Sequence, residues 1–522
     1  MPPHAADTEI GSVTTGWNPV PQRGSYVDWF GAKRLPYMAR RPFVIEVRHF
    51  LFWGLFAGLI EGTVSAVVVS KTFNAGPLLI TIVQATPAFA NLVSLLWGAM
   101  IVGRPKLPAF LSLACASVAV TLAVAITPHS PLGGWIFAAQ ICLSRVFMSG
   151  VVTTRASLWR SNYPKSHRGR ITASLQIVRT LMSLPVILGG GLLFDFSPTA
   201  YHWFYPLVAV IGAMGLLVLR GERVRGERYD THEPGESVTR PTGLDSDGSE
   251  PIADAGIIQP FSLVTLASPR KLFSHMGQVL RDDPKFARYC TGQMCIGSAN
   301  LMAMPVNTIV LTKVLGLTYT ASNTLLDLIP RAVMIFMLPV WARLFDRVGV
   351  LRFRKSNSLC WCGSMLFCGL GAFFALRLNP SGAVQAVHPI ITPTFVWAMI
   401  AYGVGRVFEG LALSGGAIAW NIGHLHFAED DKAELYMGIH VSLTGLRGLI
   451  APFLGTLIYE YCGAVVFLLG VAISIVGYVI FARLAAEEGH EKPTGSGGGV
   501  SPGRGKARSK EPKLARAVSK KP

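Results

Sequence analysis

The chain has 522 residues, of which 51% are hydrophobic and only 15% charged, with a formal net charge of +18 and a mean hydropathy of +0.44. Soluble domains carry about 25% charged residues, so an ordinary soluble enzyme is excluded. The eight cysteines lie in or beside apolar runs and form no paired CxxC array, which argues against a zinc site or a disulfide framework.

Residues 1–42 form a polar, basic arm that contains Lys33, Arg34, Arg40 and Arg41. The arm has no apolar core, so the first span is expected to act as an uncleaved insertion signal. Six runs follow within residues 43–220, at Phe50–Ser70, Leu78–Val102, Leu107–Ile126, Trp135–Val152, Ile171–Phe194 and Trp203–Leu219. Each approaches or exceeds the roughly 20 apolar residues that cross a bilayer. Residues 221–285 turn polar and read as a disordered linker. The end of that linker, Pro269–Leu280, is predicted as an amphipathic helix, because Leu272, Phe273, Met276, Val279 and Leu280 keep helical spacing. Six more runs occupy residues 286–484, at Tyr289–Leu311, Ala321–Trp341, Leu359–Leu376, Phe395–Trp420, Tyr436–Tyr459 and Val465–Leu484. Residues 485–522 form a disordered tail with eight Lys or Arg between Arg504 and Lys521.

The basic residues collect in alternate loops, at Arg155–Arg170 and Arg343–Lys355, whereas the loops Thr127–Gly134 and Ser197–Tyr201 carry none. By the positive-inside rule both termini are expected in the cytoplasm, in a cell (inner) membrane. The charge balance needs no nucleic-acid partner.

The two halves repeat each other. Arg145-Val-Phe followed by Trp159 recurs 261 positions later as Arg406-Val-Phe followed by Trp420. Lys71, Pro87 and Trp97 recur as Lys313, Pro330 and Trp341, at offsets of 242, 243 and 244. The expected fold is therefore an all-α integral membrane protein, with about twelve spans in two parallel six-helix repeats.

The segment Ala342-Arg-Leu-Phe-Asp346-Arg347-Val-Gly349, followed by Arg352, Arg354 and Lys355, resembles the loop after the second helix of a half in the major facilitator superfamily. Arg406-Val-Phe-Glu-Gly410 resembles that family's fourth-helix pattern. The first half departs from the loop pattern, with Val102 where an aspartate is expected. The resemblance implies a secondary transporter in which two bundles rock about a central site. It also implies that Asp346, Arg347 and Gly349 belong to a gating loop.

Ionisable residues inside apolar spans are costly and mark solute or ion paths. The set is Glu61, Arg145, Arg179, Asp327, Arg331, Arg406, Glu409, His440 and Arg447. Asp327 with Arg331, and Arg406 with Glu409, share helix faces and are expected to pair. What remains is a guanidinium excess, which favours an anionic solute because arginine grips carboxylate or phosphate in a planar fork. Glu61 is the first candidate for proton coupling, with a hydrogen bond to Arg145 as the alternative. His440 and Arg447 lie two turns apart on one face, as groups facing a cavity would. Pro87, Pro185, Pro305, Pro330, Pro339 and Pro452 interrupt the spans and free backbone carbonyls.

His424-Leu-His426 with Glu429, Asp430 and Asp431 brings metal-ligating types together, but as a solvated loop rather than a metal site. There is no Walker loop, no nucleophile–base constellation and no cofactor motif, so neither ATP-driven transport nor enzymatic chemistry is expected. The expected partners are a small solute, a proton and the bilayer, bound by a monomer. The alternative is a transporter fold turned receptor or scaffold, binding partners through its linker and basic tail.

Overall fold

The computed structural model describes residues 35–101, 104–225, 269–379, 391–427 and 433–491. The early linker, the acidic run at 429–431 and the basic tail lie outside the described residues. Among the described residues, eleven segments are long and apolar enough to cross a membrane. The longest, Tyr319–Leu378, holds 60 residues and is divided at Gly349, whose φ of 76° ends one helix before the next begins. Only glycine takes that backbone conformation without strain. The described residues therefore make twelve crossings.

The first span is two helices, Tyr37–Glu61 and Val64–Lys71, separated by an extended Gly62. The second to sixth are Pro77–Ile101, Lys106–Leu122, Pro131–Asn162, Lys165–Phe196 and Tyr201–Leu219. The amphipathic helix Pro269–Asp282 covers the predicted stretch and leads into the seventh span, Pro284–Ile309, which continues as a π-helix over Val310–Val314. The eighth and ninth spans are residues 319–348 and 350–378. The last three are Pro393–Ile422, Ala433–Cys462 and Val465–Glu491.

Local chemistry sets several starts. Ser130, Asp283 and Thr392 each accept from the backbone N–H three residues on and are each followed by proline at the first helical position. That is the expected pairing of a capping side chain with a residue that has no N–H to satisfy. The first span begins about thirteen residues earlier than its apolar run, at Tyr37, because Phe43 and Val47 are fully buried and extend its packed face.

The sixth span shows how the bundles meet lipid. Trp203, Leu207, Val210, Met214 and Leu217 recur at alternating spacings of four and three and are all exposed, while Phe204, Tyr205, Val208 and Leu216 are buried. One stripe packs inward and the opposite apolar stripe faces outward, as a lipid-facing helix requires. The second span packs on the eleventh and the fifth on the eighth, and these contacts join the two bundles. Twelve crossings return the chain to its starting side, called here the terminal face. The opposite side is the far face.

Candidate functional site

The repeated prolines and arginines solve one problem twice. Pro87 has no N–H, so the carbonyl of Val83 loses its helical donor, and Arg145 Nη1 donates to it instead. In the second half Pro330 leaves the carbonyl of Leu326 without a donor, and Arg406 Nη2 takes that role. The neighbouring Leu325 carbonyl is freed as well, because Ile329 N–H bonds to Thr324 in a π-helical turn. Arg406 Nε donates to Leu325 at 2.9 Å.

Beyond that shared task the two arginines differ. Arg145 Nε and Nη2 donate to the carbonyls of Ile60 (2.5 Å) and Gly62 (2.9 Å), where the first span breaks. Arg406 forms the expected ion pair with Glu409. Both guanidinium groups are nearly fully buried.

Glu61 pairs with Arg179 of the fifth span, so the alternative raised for it, a hydrogen bond to Arg145, is not formed. Asp327 accepts from Arg331 Nε at 2.6 Å, as the four-residue spacing suggests. Its second oxygen accepts the backbone N–H of Thr63 at 3.1 Å, from the other bundle. Arg331 Nη1 reaches Ser183 Oγ at 3.5 Å, also across the interface, and is close enough to repel Arg179. Glu61, Arg179, Asp327 and Arg331 thus form one four-charge group at the bundle interface. Gly62 permits the approach, since a Cβ there would lie 2.5 Å from Asp327 Oδ2.

On the far-face side of this group the bundles are stitched together. Gln84 donates to Thr308 Oγ1 at 2.7 Å, and the hydroxyls of Thr81 and Thr456 lie 2.6 Å apart. Ser70 and Thr312 hydroxyls meet at 2.7 Å, and those of Thr72 and Tyr319 at 2.9 Å. Lys71 donates to the Leu317 carbonyl at 2.7 Å, while Lys313 donates to Asn74 Oδ1 at 3.0 Å. The repeated lysines therefore reach across reciprocally. Asn74 (φ 47°) and Gly316 (φ 61°), 242 positions apart, make matching left-handed ends to the first and seventh spans. Asp195 caps the start of the eighth span from the fifth, accepting from the N–H groups of Tyr319 (2.6 Å) and Thr320 (3.0 Å).

Toward the terminal face the pattern changes. Asp346 and Arg347 are exposed beside Gly349, and among the described residues neither makes an ion pair. His440 and Arg447 sit on the inner side of the second bundle. Arg447 Nη1 donates to the Gln293 carbonyl at 2.7 Å, and the His440 ring lies 6.1 Å from Trp420.

Sequence reasoning missed a polar cluster at the terminal face of the first bundle. Arg155 Nη2 lies 2.9 Å from His49 Nε2, and its guanidinium is over Phe50 at 4.5 Å. Trp159 donates to Glu46 at 2.7 Å, and Asn162 donates to Glu222 at 2.7 Å. Burial pushes the Glu222 carboxyl up to about 9, with Glu46 adding to the shift and Asn162 and Arg155 opposing it. The available signal was the helical spacing of Glu46, His49 and Trp53 at the polar edge of the first apolar run. Arg155 instead reads as one of several topology-setting charges.

Two six-helix bundles, joined by an interface that carries buried charge, define a membrane transporter fold. The chain belongs to the Major Facilitator Superfamily, whose family model matches residues 50–405. Similar solved structures include a D-xylose–proton symporter, 10% identical with a TM-score of 0.57, covering 85% of this chain and 97% of that one. The fucose:proton symporter FucP of E. coli is 12% identical with a TM-score of 0.52, covering 85% and 99%. The xylose transporter XylE from E. coli in an inward-open conformation is 10% identical with a TM-score of 0.57, covering 85% and 96%. At these identities the likeness is one of fold. No curated protein sequence matches the chain.

Proposed function

We propose that this chain is a monomeric secondary transporter of the inner membrane. It moves a small anionic solute by alternating access, coupled to protons, and both its termini are cytoplasmic. The observation that carries the reading is the distribution of the inter-bundle contacts. The Ser70–Thr312, Lys71–Leu317 and Lys313–Asn74 bonds close the far face, while Asp346 and Arg347 stay exposed and, among the described residues, unpaired at the terminal face. A rocking motion would exchange these two sets.

The four-charge group lies where such motion is felt. Glu61 is the coupling residue in this reading. With a proton on Glu61, Arg179 loses its counter-charge and is free to repel Arg331 or to meet a solute anion. Asp327 ties the eighth span to Thr63 in the closed arrangement. Arg145 and Arg406 hold broken backbone in place rather than touching solute. All four side chains are partly buried, with exposures between 10% and 27%, so their mutual attraction is screened less than at an open surface.

The test is transport in proteoliposomes under an imposed pH gradient, across a panel of carboxylates, phosphate esters, sugars and nucleosides. Gradient-driven accumulation that is lost in Glu61→Gln, with solute exchange retained, supports proton coupling at Glu61. Accumulation unchanged in Glu61→Gln overturns that assignment.

A further inference from the structure

Counting partners relocates the guanidinium excess. Arg145 is spent on carbonyls, and Arg179, Arg331 and Arg406 each have a carboxylate. Among the described residues Arg447 has none, and beside it stands Arg354, one of the basic residues of the signature loop. Arg354 is 3% exposed. Its Nη1 donates to Asn357 Oδ1 at 2.8 Å, and its Nη2 donates to Gln293 Oε1. The guanidinium also lies over the Phe481 ring, with Cζ 5.2 Å from the ring centroid. Both arginines thus rest on neutral groups of Gln293, one on the side chain and one on the backbone.

Two histidines stand beside these arginines. His440 and His424 are both buried, with rings 6.5 Å apart and nearly parallel. Arg354 Nε, Arg447 Nε, His440 Nε2 and His424 Nδ1 are buried and, among the described residues, have no hydrogen-bond partner. The charged and titratable groups that act on His440 are Arg447, His424 and Arg354, and the one that acts on Arg447 is Arg354, with no carboxylate in either set. Gly297 faces the Arg447 guanidinium so closely that a Cβ there would lie 1.8 Å from Nη1. Burying two positive charges side by side costs several kcal/mol each unless something negative joins them.

We propose that Arg354, Arg447, His440 and His424 form an anion site, in the second bundle toward the terminal face, that takes the carboxylate or phosphate group of the transported solute. This rests on the transporter reading above. Two guanidinium Nε–H groups and two imidazole nitrogens are the donors such a group uses, and a planar fork suits its oxygens. Arg447, the partly exposed member, is the point of entry. The site lies in one bundle, so the anion would be held on one side while the rest of the solute meets the other bundle.

The experiment is thermal-shift and calorimetric titration of the full chain in neutral detergent, using inorganic phosphate, succinate and uncharged xylitol as probes, alongside proteoliposome transport. Saturable stabilisation by phosphate or succinate but not by xylitol is expected. Kd should rise at least tenfold in Arg447→Gln and in His440→Phe and less in Arg447→Lys. Arg447→Gln keeps a donor for the Gln293 carbonyl, so it tests the site even if Arg354→Gln fails to fold. Stabilisation by phosphatidylglycerol in nanodiscs with no response to soluble anions would mean a lipid-headgroup site and overturn the solute assignment. No anion response in a protein that transports a neutral solute sinks the anion site and leaves the transporter standing. Anion binding without transport of any solute does the reverse.

Discussion

The hydroxyls of Ser70 and Thr312 meet at 2.7 Å across the bundle interface, and the two residues occupy equivalent positions of the repeat, 242 apart. A contact between equivalents lies on the pseudo-symmetry axis. The flanking lysines then bond reciprocally, Lys71 to Leu317 and Lys313 to Asn74. Removing the central contact with Ser70→Ala and Thr312→Val should weaken far-face closure by about 1 kcal/mol, the net worth of one hydrogen bond. Spin labels placed on the far-face ends of the first and seventh spans should then report a larger population at long distance. An unchanged distance distribution refutes the gate.

The arginine–proline pairing predicts a specific non-additivity. Arg406→Lys removes the donors to Leu325 and Leu326 and should destabilise the protein by roughly 2–4 kcal/mol, since each orphaned buried carbonyl costs about 1–3 kcal/mol. Pro330→Ala supplies an N–H to that turn. The double variant should therefore lose less stability than the sum of the single losses, by at least 0.5 kcal/mol, beyond the usual scatter of independent sites. Strict additivity in thermal or denaturant unfolding would show that the guanidinium is there for another reason.

Glu61 and Arg179 are separable in the same way. Glu61→Gln leaves a partly buried guanidinium without its counter-charge and should cost about 1–2 kcal/mol, less than for a fully buried pair, whereas Glu61→Gln with Arg179→Gln should recover much of it. Proton-driven accumulation should be absent from both variants. A double variant with wild-type accumulation would remove this pair from the coupling step.

Glu222 gives the pH dependence a sign. Its folded-state value near 9 lies above the ordinary carboxylate range, so the folded protein holds a proton that the unfolded chain has released above about 4.5. Its contribution is therefore fully present in acid and declines as pH rises from about 5 to 9. Glu222→Gln keeps the acceptor for Asn162 and carries no charge. The apparent melting temperature of this variant should fall less between pH 5 and pH 9 than that of the parent. A parent profile that is flat or rises across this window contradicts the assignment.

The architecture was legible because lipid demands it: apolar runs of span length, charge-bearing loops on alternate sides and a repeat at fixed offset leave few folds. Gly349 was placed in the signature loop, but its left-handed conformation and the merging of the eighth and ninth spans around it are tertiary facts. Which charges meet was much less legible. Asp327–Arg331 and Arg406–Glu409 are local in sequence and could be anticipated. Glu61–Arg179 is separated by 118 positions and depends on how the first and fifth spans pack. Arg354 was hidden by its neighbours, because Arg352 and Lys355 are surface charges of the same run and only the helix phase turns Arg354 inward.

The buried arginines share a further property, which concerns the order of synthesis. Arg145 bonds to residues 60, 62 and 83, Arg179 to Glu61, Arg354 to Gln293 and Arg406 to residues 325 and 326. Every one of these partners lies in the same bundle and earlier in the chain. As each arginine-bearing span leaves the ribosome, these partners are already in the membrane, and the later ones, Asn357 of Arg354 and Glu409 of Arg406, lie one turn along the same span. Neither half has to wait for the other to shelter its charges, so each bundle can assemble as a unit before the two dock.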